Sequence, residues 1–144
     1  MRHIKAILVI MCSLALLSCQ KESAQESEPL LEVNYNNVSG IWTLEMVGDS
    51  PLLDGTFLDI ELTRSEKTFT ITTNLDSFAD IAHTLTGTYA ITTTAAQGSI
   101  IEGMYDHDSG FWSRNYRIDL LSATRMVWSA VDNPEFVQTF SRKE

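Results

Sequence analysis

A two-residue alternation of apolar and polar side chains recurs between Gly40 and Phe140, and it constrains the fold more than any other feature. Trp42, Leu44 and Met46 alternate with Thr43, Glu45 and Val47. Leu58, Ile60 and Leu62 alternate with Asp59, Glu61 and Thr63, and after the polar turn Arg64 to Lys67, Phe69 and Ile71 alternate with threonines. Leu85, Gly87, Tyr89 and Ile91 share a face; Tyr116, Ile118 and Leu120 form another, then Met126, Trp128 and Ala130, and finally Phe136 and Phe140. This period puts one apolar face on each segment, the pattern of half-buried antiparallel strands. The Thr-rich opposite faces suit strands as well. Ser99 to Tyr105 is also a strand, but apolar residues fall on both of its sides, so its inward face stays open. Eight short strands at regular spacing predict an all-β barrel or sandwich rather than a helical fold.

The N-terminus predicts an address. Arg2, His3 and Lys5 precede an apolar run from Ala6 to Leu17, which ends in Leu16-Leu17-Ser18-Cys19. A basic start, a short apolar core and a small residue at the cut site make a secretory signal over 1–18. The run falls short of the ~20 residues that a spanning helix needs. The cysteine directly after the cut resembles the lipobox of bacterial lipoproteins. That resemblance implies a diacylated Cys19 as the mature N-terminus, and a membrane partner held through its lipid. Residues 19–37, rich in Glu, Ser and Gln, read as a solvated acidic tether, with the folded domain over 38–144. Gln20-Lys21-Glu22 resembles the short charged signals that send Bacteroidota lipoproteins to the cell surface. The implied location is the outer membrane of the cell envelope.

Removing the signal sharpens the charge. It takes two of the ten Lys and Arg and none of the nineteen Asp and Glu, leaving eight against nineteen, a net of −11. A chain this anionic is repelled by phosphate backbones, so nucleic acid is not an expected partner. Cys12 lies in the signal and Cys19 carries the lipid, so no thiol is left for a disulfide, a nucleophile or a zinc–thiolate site. The fold must hold by packing.

Groups suited to catalysis are few. Past the signal only His83 and His107 remain, and neither sits in a recognised triad, metal-binding or paired-carboxylate motif. No Gly-rich phosphate loop or other cofactor motif is present, so no cofactor and no catalytic residue are assigned. Asp106-His107-Asp108 offers oxygen and imidazole ligands but lacks the longer calcium-loop pattern. It reads as a solvated turn, and no metal site is assigned. Glu102, if inward, would need Arg114 or Arg117 as a partner. Leu75 to His83 breaks the alternation and places Phe78 and Ile81 three apart behind Asp76, a candidate N-cap. It predicts a helical turn or structured loop over one barrel end.

Gly40-Ile41-Trp42 at the first strand, the seven strands after it and Phe140-Ser141-Arg142 near the end resemble the lipocalin-like families of small bacterial lipoproteins. The resemblance implies an eight-stranded antiparallel up-and-down barrel. It further implies that Gly40 and Trp42 close the barrel bottom, with Arg142 stacked on the indole.

Seven aromatics, Trp42, Phe69, Tyr89, Tyr116, Trp128, Phe136 and Phe140, fall on the expected inward faces. An eight-stranded barrel is either just filled by side chains or holds one small ligand. A packed core and a pocket lined by Tyr89, Tyr116 and Trp128 both fit this set. Phe111 and Trp112 either sit exposed on a rim, where Trp112 would stack on a glycan or dock an envelope protein, or begin the sixth strand. The expected function is non-catalytic binding of a small apolar or amphipathic ligand inside the barrel. Its rival is a surface module that binds glycan or protein through the 106–112 loop.

Overall fold

A computed structural model describes residues 27–76, 81–108 and 110–144. The signal, Cys19, the stretch to Glu26 and the centre of the 75–83 segment, with Phe78, lie outside the described residues. One short helix, α1 (Tyr35–Val38), precedes strands β1 (Gly40–Val47), β2 (Ser50–Pro51), β3 (Leu58–Leu62), β4 (Thr68–Thr73), β5 (His83–Thr94), β6 (Gly98–Tyr105), β7 (Tyr116–Leu121), β8 (Arg125–Ala130) and β9 (Val137–Lys143). Each main strand pairs antiparallel with its neighbours in the order β1-β3-β4-β5-β6-β7-β8-β9, and β9 pairs back to β1. The result is a closed eight-stranded antiparallel barrel, with two-residue β2 folded back on the end of β1. Closure gives every strand of the ring a neighbour on both sides, with the β6–β7 seam the shortest at two residue pairs, Ile100–Arg117 and Ile101–Tyr116.

The alternation works as expected along most strands. Trp42, Leu44, Ile60, Leu62, Phe69, Tyr89, Ile118, Met126, Trp128 and Phe140 all bury inward. The open face of β6 is resolved: Ile101 and Gly103 point in, and Glu102 lies on the outer face, accepting from Asn115. Three departures are local. On β1 the register against β9 shifts between Leu44 and Met46, so Val47 rather than Met46 packs against the core. On β7 the register shifts between Ile118 and Leu120, so Leu121 reaches the core opposite Met126 and Leu120 does not. A bulge inserts one residue and so reverses the facing of the side chains beyond it. Phe136 falls just before β9 and stays out of the core; the Arg114 guanidinium lies 5.1 Å from its ring centroid instead.

One end of the barrel is sealed. Trp42 is fully buried and donates its indole N–H to the Val38 carbonyl at 2.8 Å, tying β1 to α1. The Arg142 guanidinium sits 4.1 Å from the Trp42 ring centroid. Its three nitrogens donate to the carbonyls of Ala123, Ser39 and Asn37, joining the β7–β8 turn, α1 and β9 in one knot. Stacking and in-plane hydrogen bonding together use both properties of a planar cation. Gly40 makes room for it: its φ is +130°, and a Cβ there would lie 2.5 Å from Arg142 Nη1. The Gly-x-Trp spacing is thus explained by a backbone angle that only glycine tolerates and by a guanidinium in close approach.

The expected tether is shorter than its composition suggests. Leu31, Val33 and Tyr35 pack against the core from below, and the Leu31 amide donates to the Leu121 carbonyl at 2.8 Å. The Glu28 carboxylate accepts from Ser122 at 2.6 Å and Thr124 at 2.7 Å. Alternating apolar residues at 31, 33 and 35 carry this packing, but they are diluted by acids in any composition window. The two hydroxyls hold the Glu28 carboxyl below the ordinary glutamate range, against a smaller opposing effect of burial. A depressed folded pKa means that this contact stabilises above the unfolded carboxyl value and is lost as pH falls through the folded one. The amide protection factor of Leu31 should therefore drop on acidification ahead of the barrel core's, and Glu28→Gln should lower it at neutral pH. Equal protection in both proteins would rule the contact out as a latch.

Candidate functional site

The turns after β1, β4, β6 and β8 gather at the end opposite Trp42, and there the barrel is hollow. A cavity of about 250 Å³ opens at this end. Leu58, Ile60, Ile71 and Leu85 form one wall from β3 to β5, and Trp112, Tyr116, Trp128 and Phe140 form the other. Thr73, Ser113 and Gln138 add polar atoms, while Leu75, Asp76 and Tyr105 stand at the mouth. The packed core and the pocket are both real, at opposite ends. Large rings fill the sealed half, and the upper half keeps room for one small ligand, as eight strands permit.

The aromatic wall is a continuous set of ring contacts. Tyr116 stacks on Trp128 with centroids 4.7 Å apart and planes 18° apart. Trp128 meets Phe140 edge-on at 4.7 Å, and Trp112 contacts Trp128 at 6.2 Å and Phe69 at 5.0 Å. Neighbours locked in this way hold their rotamers without a bound molecule, so the wall is largely pre-formed.

The residues singled out from sequence separate cleanly. Tyr116, Trp128 and Trp112 converge on the cavity. Tyr89 does not: it fills the sealed half, donating to the Thr63 carbonyl at 3.0 Å with its ring 5.5 Å from Tyr35. Burial, and then the neighbouring Tyr35, push its phenol up to about 12. The adjacent pair at 111–112 splits. A single antiparallel bridge between Met104 and Phe111 extends β6, leaving Phe111 70% exposed and turning Trp112 inward at 8%. Trp112 is therefore not a rim residue available for stacking on a glycan.

Trp112 fits only because Gly103 faces it. A Cβ on Gly103 would lie 2.1 Å from the indole Cε2. Gly87 likewise leaves space for the Phe69 ring, where a Cβ would come within 2.8 Å. A glycine inside a strand signals such a close approach, and Gly103 is the one sequence sign that the 111–112 segment folds over β6.

The polar chemistry of the cavity is sparse and uneven. Trp128 Nε1 donates to Gln138 Oε1 at 2.8 Å, and Thr73 donates to the Phe57 carbonyl at 2.9 Å. Trp112 Nε1 is buried and has no hydrogen-bond partner. Such a group normally finds one, since desolvating a donor without compensation costs about 1–3 kcal/mol. Tyr105 and Tyr116 have phenols pushed upward, in both cases chiefly by burial; at Tyr105 the carboxylates of Asp76 and Asp108 add to it. At the mouth, His83 Nε2 lies 3.3 Å from Asp76 Oδ1. This pair resembles the orienting half of a triad, yet among the described residues no hydroxyl hydrogen-bonds to His83.

Asp106-His107-Asp108 is used as turn chemistry. Asp106 accepts from the Thr86 hydroxyl at 2.7 Å, and Asp108 accepts from the Gly110 amide at 2.8 Å. His107 Nε2 lies 3.5 Å from Asp108. The arrangement is suited to binding: a rigid aromatic wall with, among the described lining residues, one carboxylate, that of Asp76. No protein-family model, curated protein or solved structure matches the chain, so its function is argued from the site's own chemistry.

Proposed function

We propose that the barrel binds one small apolar or amphipathic molecule, without altering it, from a lipid-anchored position at the outer membrane. The observation that supports this reading is the cavity of about 250 Å³ with its pre-formed aromatic wall. Its size lies between the ~150 Å³ that holds benzene and the ~300 Å³ at which drug-sized pockets begin. A single-ring or short-chain molecule fits; a long acyl chain does not. Thr73, Ser113 and Gln138 give the wall polar atoms that would orient an apolar body.

The anchor rests on Cys19 and the signal before it. Nine residue steps lead from Cys19 to Glu28, at most about 32 Å of extended chain. Glu28 joins the sealed end, so a lipid on Cys19 would place that end toward the membrane and the cavity mouth away from it. The ligand would then arrive from the aqueous side rather than out of the supporting bilayer.

Native mass spectrometry of the protein incubated with an extract of small envelope metabolites should show a discrete adduct that is lost on denaturation. Tyr116→Ala removes a half-buried ring from the wall and should weaken that adduct about tenfold, the scale of one aromatic contact, in a protein that melts lower but keeps the native circular dichroism spectrum at room temperature. A bare protein throughout, or a folded Tyr116→Ala protein with undiminished binding, would overturn this reading.

A further inference from the structure

The cavity carries a charge preference that its apolar walls conceal. Asp76 is the one charged side chain among the described residues that line it. The turns around the mouth add Asp49, Asp54, Asp106, Asp108, Asp132 and Glu135. Against these the described residues of the same turns supply a single Lys or Arg, Arg114, which is already committed to Asp132 at 3.0 Å. Of the other described Lys and Arg, Arg117 is on β7 and paired with Asp119, and Arg64, Lys67, Arg125, Arg142 and Lys143 lie toward the sealed end. Charge of one sign around a low-dielectric opening focuses the field there and raises the local concentration of the opposite sign.

A further observation points to an occupant. The rings of Tyr105, Trp112, Tyr116 and Trp128 surround the space behind Asp76, and aromatic faces attract a desolvated cation. A carboxylate ligand is disfavoured: among the described residues no Lys or Arg lines the cavity to pair with it, and burying an unpaired anion is costly.

Building on the binding of a small molecule in this cavity, we propose that the ligand is a small organic cation, an amine on an aromatic or short aliphatic body. The ammonium sits at the mouth beside Asp76, and the body lies against the stacked Tyr116 and Trp128. His83 shares Asp76 in the free protein and gives way to the ammonium.

Three probes with nearly the same body separate charge from shape: tyramine, neutral 4-ethylphenol and 3-(4-hydroxyphenyl)propionate. Calorimetric titration of the intact protein should rank them in that order, with tyramine about tenfold tighter than 4-ethylphenol, the scale of a partly exposed ion pair reinforced by cation–π contact. Asp76→Asn, at an exposed position, should remove the tyramine advantage and leave 4-ethylphenol unchanged. If 4-ethylphenol binds as well as tyramine, or the propionate binds best, the cation assignment is wrong while the hollow-barrel reading stands. A tyramine advantage that survives Asp76→Asn also overturns it. If none of the three binds, both readings fail together.

Discussion

Trp42→Ala is expected to cost about 3–5 kcal/mol of unfolding free energy, measured by urea denaturation. The indole is wholly buried, so its removal leaves a cavity at the base of the barrel that surrounding strands, pinned by their ladders, refill poorly. Two further losses add to it. The Val38 carbonyl loses its donor, and Arg142 loses the face on which it stacks. Against a total stability of roughly 5–15 kcal/mol for a domain of this size, such a change leaves the fold marginal. Trp42→Phe should separate the contributions, keeping a ring under Arg142 while orphaning the Val38 carbonyl, for an intermediate loss of about 1–3 kcal/mol. A Trp42→Ala protein within about 1 kcal/mol of the parent, well under the usual range for such a truncation, would show that the sealed end is held by α1 and Arg142 without the indole.

Gly103→Ala is the second large effect, and it couples stability to the site. The new methyl would occupy the place of the Trp112 indole, 2.1 Å from Cε2 and 2.4 Å from Nε1. Strand β6 cannot retreat, because Gly103 is paired with Tyr89 across the ladder. Trp112 must therefore swing away from β6, losing its contact with Phe69 or entering the cavity. Overpacking of this kind costs about 1–3 kcal/mol, and cavity ligands should bind at least about tenfold more weakly. Trp112→Leu in the same chain should relieve the clash, so that the double variant is more stable than the sum of the two single changes predicts. Additive effects would mean that Gly103 and Trp112 do not share space in solution.

These two positions also mark how far the sequence could be read. Trp42, Gly40 and Arg142 were legible as a set only through the resemblance to lipocalin-like families, which implies that an arginine near the last strand stacks on the Gly-x-Trp indole. The structure adds the reason: a φ of +130° at Gly40 and a guanidinium where a Cβ would stand. Trp112 was not legible, since adjacent Phe111 and Trp112 carry no period and either could have faced inward. One bridge between Met104 and Phe111 decides it. Tyr89 shows the opposite limit. Its inward orientation was readable, but which half of the barrel it fills depends on where twelve-residue β5 passes from pairing with β4 to pairing with β6.

By itself, the sequence determined the all-β class, the positions of the strands and most inward faces, because period-two patterning is local and each strand repeats it independently; the up-and-down order was what the lipocalin-like resemblance implied. It also determined the absence of any thiol from the folded domain and the excess of acid. Only the tertiary structure decided that Leu121 rather than Leu120 enters the core, that residues 28–37 pack beneath the barrel, and that one end is hollow. A bulge, a docked segment and a cavity all depend on how distant side chains share volume, and no local period encodes a shared volume. The charge preference of the mouth has the same origin: seven acids from four separate turns become one field only when closure brings those turns together.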